Sequence, residues 1–188
     1  MTVVDGLVKF SLVMFIVALV MFSSADPAQA TDLRKLSTSD MTRIGARIVV
    51  AKCTDVSVKQ EPTGIFTYYG FNVIKLVKGK LEGNSFKLRL IGGRIGSTIL
   101  EVPEMPTFAH GEEVVLFLGK DNDLGYPTIS IQGVFKVSES AAGKKILPEP
   151  SGLKLIHIAN NKPYAESEEV VLLDDFLAAV SSALKPQR

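Results

Sequence analysis

Three glycines surround one arginine in Leu90-Ile91-Gly92-Gly93-Arg94-Ile95-Gly96-Ser97, a composition from which anion-holding loops are built. A phosphate loop also needs a helix behind it, because free N–H groups and the helix dipole hold the charge. Here Ser97-Thr98-Ile99-Leu100-Glu101-Val102-Pro103 follows, β-branched and closed by proline. Neither the dinucleotide nor the P-loop glycine spacing is present. Gly92, Gly93, Arg94 and Gly96 therefore read as a surface connection between strands, with Arg94 expected at a solvent-exposed turn.

The remaining reactive residue types are scattered. His110 and His157 stand 47 residues apart, and neither has a second histidine or a cysteine at ligand spacing. Glu104, His110 and Glu112 share one polar turn, but their spacing matches no metal pattern. Cys53, the single cysteine, lies in a β-branched run with no helix N-terminus to lower its pKa. It reads as a buried structural thiol. No Gly-x-Ser-x-Gly elbow occurs, and no carboxylate pair stands out by position. Tyr68, Tyr69 and Phe71 precede Lys75, Lys78 and Lys80, an aromatic-basic mixture of the kind that binds single strands. The charge balance argues against that use. The expectation is a non-enzymatic chain with no catalytic residue, metal, cofactor or nucleic-acid partner.

Compartment is legible at the N-terminus. Residues 10–22 are 13 consecutive uncharged, mostly apolar residues preceded by Lys9. Pro27 and the small residues Ala28 and Ala30 follow, forming the A-x-A pattern that signal peptidase reads. The run is shorter than the roughly 20 residues of a spanning helix. Cleavage after Ala30 is expected, leaving residues 31–188 with no membrane span; an uncleaved anchor is the alternative. Residues 31–188 keep 20 of the 21 basic and 18 of the 20 acidic residues, a net charge of +2. So balanced a charge does not point to a polyanionic partner.

Along the rest of the chain, Asp32–Gly45 carries Leu33, Leu36, Met41 and Ile44 near helical period, with Ser39 or Asp40 as expected cap. Strands are expected at Ile48–Val58, Ile65–Val77, Ser85–Ile91, Glu113–Leu118 and Thr128–Val137. In Ser85–Ile91, Phe86, Leu88 and Leu90 alternate with Lys87 and Arg89, so one face is buried and the other solvated. In the last strand, Ile129, Ile131, Phe135 and Val137 are expected inward, with Gly133 as a bulge or bend. Residues 148–167 read as a connector with at most one short strand, at Leu153–Ile158. Leu173–Leu184 shows Leu173, Phe176, Leu177, Val180 and Leu184 on one helical face.

The expected fold is mainly β: a small antiparallel OB-like Greek-key barrel with a short N-terminal helix and a C-terminal helix. A β-sandwich is the alternative. The expected division is a signal peptide (1–30), a barrel with its N-terminal helical turn (31–147), and a connector with a helix packed on the barrel (148–188).

Several segments together resemble a family of exported bacterial domains of mostly unassigned function. The resemblance runs through Ile48-Val49-Val50-Ala51, Phe71-Asn72-Val73, Leu76-Val77-Lys78-Gly79, Gly92-Gly93 and Pro106-Thr107-Phe108. It continues in Gly111–Leu118, Gln132–Val137 and Leu173-Asp174-Asp175-Phe176. It implies an OB-type barrel shaped like netrin and tissue-inhibitor-of-metalloproteinase modules, found alone or beside matrixin-like metalloprotease domains. This chain has no His-Glu-x-x-His motif, and Thr31 stands where such inhibitors place a zinc-binding cysteine. The expected function is that of a periplasmic or secreted, non-catalytic barrel binding a protein or an envelope component. A protease-associated or inhibitory module and an enzyme with a dispersed site are the alternatives.

Overall fold

The computed structural model describes residues 33–34, 36–148, 155–156 and 171–185. The strands are β1 (Leu33–Arg34), β2 (Arg47–Glu61), β3 (Gly64–Lys78), β4 (Ser85–Ile91), β5 (Gly93–Ile95) and β6 (Thr98–Leu100), then β7 (Glu113–Asp121), β8 (Pro127–Ser140), β9 (Gly143–Pro148), β10 (Leu155–Ile156) and β11 (Val171–Leu172). Helix α1 is Thr38–Ile44 and helix α2 is Leu173–Ala183. The chain is mainly β. The expected signal segment, with Ala28 and Ala30, and most of the expected connector lie outside the described residues.

One seven-stranded antiparallel sheet dominates, in the order β11-β9-β8-β7-β2-β3-β4. Strands β2, β3 and β4 follow one another as hairpins, and β7 returns to lie beside β2. That 4-1-2-3 arrangement is a Greek key. A sandwich would need two stacked sheets, whereas here one sheet curls on itself. The evidence is its inner core: Leu88 and Leu90 of β4 share one buried cluster with Val134 of β8, four strands away in the order. Val49, Ala51 and Cys53 of β2, Tyr69 and Phe71 of β3, and Val114, Leu116 and Leu118 of β7 fill the same cluster. β4 comes alongside β8, but no ladder joins them among the described residues. The barrel is thus curved and open in its hydrogen bonding.

The central strands β2 and β7 are apolar on both faces, and the second face needs a cover. Ile48 and Val50 of β2, and Val115 and Phe117 of β7, point away from the barrel interior. They pack under Met41 of α1 and under Leu173, Phe176, Leu177 and Val180 of α2. These four α2 residues are the stripe expected from helical period. Leu184, the fifth, is 38% exposed.

Two corrections concern how elements begin and turn. Ser37, not Ser39 or Asp40, caps α1: its hydroxyl accepts from the Asp40 N–H at 3.0 Å and donates to the Asp40 carboxylate at 2.8 Å. Asp40 occupies the third helical position, where a carboxylate completes the cap. In β8, Ile129 packs toward the barrel interior, while Phe135 and Val137 face the helices. The reversal happens at Gly133. There Leu116 pairs with Val134 and Leu118 with Ile129, so β8 carries extra residues and changes face. A Cβ on Gly133 would sit 3.0 Å from the Phe117 Cβ. Between β2 and β3, Thr54 is an extra residue: Cys53 pairs with Phe71 and Asp55 with Gly70.

Lys78, at the end of β3, ties sheet to helix. Its ammonium donates to the carbonyls of Thr42 (2.6 Å), Arg43 (3.1 Å) and Gly45 (2.6 Å). A cation at a helix C-terminus satisfies orphan carbonyls and complements the dipole.

Candidate functional site

Two places on the β2–β3–β4 half of the barrel carry polar chemistry, one on each face of the sheet. The inner one contains the glycine-rich loop. β4 ends at Ile91, and Gly92 (φ 113°) and Gly93 (φ 139°) turn the chain into the small β5–β6 hairpin. The Gly92 N–H donates to the Ile65 carbonyl at 2.8 Å, and the Thr67 hydroxyl donates to the Gly92 carbonyl at 2.7 Å. A Cβ on Gly93 would lie 2.7 Å from both Thr67 Oγ1 and Val58 Cγ1. The glycines thus let this hairpin lie directly on the inner face of β2–β3. Gly96 (φ 57°) supplies the tip of the hairpin.

Arg94 is exposed, and no ion pair or hydrogen bond engages its guanidinium among the described residues. It lines a cavity of about 700 Å³ whose floor holds Thr67, Tyr69 and Leu90. The far wall includes a turn closed by the Met105 N–H donating to the Val102 carbonyl at 3.2 Å. Glu104 in that turn has φ 63°, a conformation that favours glycine.

The outer place was not foreseen. Alternation along β3 and β4 puts Phe66, Tyr68, Arg89 and Ile91 on the outward face, with Phe66 paired to Ile91 and Tyr68 to Arg89. The tight Pro62-Thr63 turn brings Glu61 of β2 over them. Arg89 grips Glu61 with two hydrogen bonds, Nη2 to Oε2 at 2.5 Å and Nε to Oε1 at 3.2 Å. The Tyr68 hydroxyl donates to Glu61 Oε1, and the Arg89 guanidinium carbon sits 3.5 Å from the Phe66 ring centroid. Lys59 Nζ stands 5.1 Å from the Tyr68 centroid. Tyr126, from the β7–β8 loop, meets Tyr68 edge-on at 5.8 Å.

This arrangement keeps Arg89 12% exposed and Glu61 24% exposed at the side chain. The hydrogen bonds from Arg89 and then Tyr68 hold the Glu61 carboxyl below its ordinary range. Glu61 in turn pushes the Tyr68 hydroxyl and the Arg89 guanidinium upward. Each group is held in its neutral-pH form. Alternation along Ser85–Ile91 by itself places Arg89 on a solvated face. Its partner lies 28 residues away on the far side of β3, a contact that alternation alone does not show.

The other candidates do not assemble. Cys53 is buried with its thiol against the Asp55 carbonyl at 3.6 Å, and burial raises its pKa, the reverse of nucleophile activation. His110 is exposed, while the Glu112 carboxylate accepts from the Ala109 N–H at 2.9 Å and pairs with Lys136. No group of three or more His, Cys, Asp or Glu gathers at metal-binding distance among the described residues. His157 lies outside them. Tyr69 and Phe71 are in the barrel interior, Tyr68 faces outward and Lys78 is committed to α1, so the aromatic-basic run does not form one surface.

Comparison of the chain with protein-family models, with curated proteins and with solved structures gives no match.

Proposed function

We propose that this chain is an exported, non-catalytic β-barrel protein that binds a protein or another component of the cell envelope through the outward face of β2, β3 and β4. The observation that carries this reading is the locked Glu61–Tyr68–Arg89 group over Phe66, on a part of the sheet that neither described helix covers. Tyrosine, arginine and phenylalanine are the residues in which binding energy concentrates. Side chains already held in one rotamer lose little entropy when a partner arrives. Exposed Lys59, Lys87 and Ile91 surround the group, giving an apolar and cationic rim. In Greek-key barrels of the OB type, the second and third strands and the adjoining loops carry the ligand face. β3, β4 and the Tyr126 loop occupy those positions here.

The pKa directions support binding rather than proton transfer. A general acid or base works best with a pKa near the operating pH. Glu61 and Tyr68 are both moved away from neutrality.

The test is crosslinking capture from envelope extract with the wild-type chain and with Arg89→Ala and Tyr68→Ala. A specific captured component, lost in both variants while their thermal unfolding stays within a few degrees of wild type, is the expected result. Capture that is indifferent to both substitutions overturns the assignment of this face. Sequencing the N-terminus of the exported chain checks the compartment, with Thr31 as the expected first residue.

A further inference from the structure

We propose that the cavity beside the glycine-rich hairpin is a second, separate site, which takes a small aliphatic carboxylate: an unbranched apolar chain with one anionic head. At about 700 Å³ it falls within the range of small-molecule sites. Leu90, Leu100, Val102 and Met105 line it, giving an apolar body. On its floor the Thr67 hydroxyl is already given to the Gly92 carbonyl. A peptide backbone laid here would find few free partners there for its own N–H and C=O groups, and unpaired amides are costly. A hydrocarbon chain has no such requirement.

The head group is set by Arg94. It pairs across the hairpin with Ile99, so both side chains share the face that borders the cavity, and the guanidinium is unpartnered among the described residues. A free guanidinium beside an apolar cavity offers a two-pronged site for a carboxylate. Glu101, the other charge on the rim, is also unpartnered among the described residues. Its repulsion favours a ligand with a single negative charge over a dianion.

The site is tested by titrating the purified protein with octanoate and decanoate, below their micellar concentrations, and with octanol and decanol. Calorimetry gives the affinities. Two added methylenes are expected to tighten binding about fifteenfold. Arg94→Gln is expected to weaken decanoate about tenfold and to leave decanol unchanged. Glu101→Gln is expected to tighten decanoate a few-fold, again without effect on decanol. Ile99→Trp fills the cavity and is expected to abolish both; the natural chain has no tryptophan, so its fluorescence also reports folding. Absence of decanoate binding overturns the proposal, as does an Arg94→Gln effect equal for acid and alcohol, or binding that survives Ile99→Trp. None of these results bears on the outward face, whose variants are tested by capture.

Discussion

The two ends of the main sheet are finished in different ways. Near the start of β2, the outward face is apolar and lies under α1 and α2, with Phe117 in edge contact with Phe135 (5.9 Å) and Phe176 (6.1 Å). Toward the Pro62-Thr63 turn neither helix arrives. There the same outward surface is closed by Glu61, Tyr68 and Arg89, a hydrogen-bonded group over one phenylalanine. Burial of aromatic area stabilises strongly, whereas partly exposed ion pairs contribute little. One end is therefore built for stability. The other spends ordered, specific geometry on little stability, as the proposed binding face requires.

The comparison breaks first at Phe117. Phe117→Ala removes a buried ring between sheet and α2 and is expected to cost about 4 kcal/mol, lowering Tm by roughly 10 °C in thermal unfolding followed by circular dichroism. Tyr68→Ala at the other end is expected to move Tm by only a few degrees. Equal losses would mean that the two ends share one structural role.

Gly93→Ala comes next. Its φ of 139° disfavours a side chain, and the new methyl would strike Thr67 Oγ1 and Val58 Cγ1. A loss of about 2 kcal/mol is expected, felt mainly at the hairpin. Hydrogen exchange should show it: the Gly92 amide, bonded to Ile65, loses protection while Val115 and Leu116 keep theirs. Uniform loss of protection would tie the hairpin to the global core. A smaller effect is expected from Ser37→Ala, which removes the α1 cap for about 1 kcal/mol, read as a shift in the urea midpoint.

How much of this was legible depends on how far apart the interacting residues are. The clean alternation of Ser85–Ile91 placed β4 and its inward Leu88 and Leu90 correctly, because period two follows from the pleat alone. The α2 stripe and the Gly133 bulge were legible for the same local reason. Strands β5 and β6 were not, since three residues are too few for a period to show. Strand β9 was missed because its start, Gly143-Lys144-Lys145, reads as a polar turn. In the structure Lys144 pairs with Glu113 at 2.6 Å, which makes it part of the sheet's charge pattern. The loop glycines read as a strand connection and do open a hairpin, but the cavity beside Arg94 needs β3 and the 101–107 segment brought together. The outward site is the plainest case. Residues 61, 68 and 89 meet only once the β3–β4 register is known, and the 79–84 loop does not specify it.

The finest distinction between the two ends lies in their response to pH. Phe117, Phe135 and Phe176 do not titrate, so the packing of these rings adds no pH dependence of its own. At the other end, Glu61 has its folded pKa lowered, so its contribution is fully present above its unfolded value and is lost as pH falls through the folded one. Tyr68 has its folded pKa raised, chiefly by Glu61, so its contribution is present below its unfolded value and fades as pH rises through the folded one. Urea midpoints measured from acid to alkaline pH should therefore show wild type exceeding Arg89→Gln by a small margin at neutrality. That margin shrinks below the usual carboxylate range. Tyr68→Phe should instead flatten the alkaline limb. Margins that stay constant across pH would mean that the three side chains stand near one another without being coupled. The outward face would then be an ordinary exposed strand surface, with no rigid group to offer a partner.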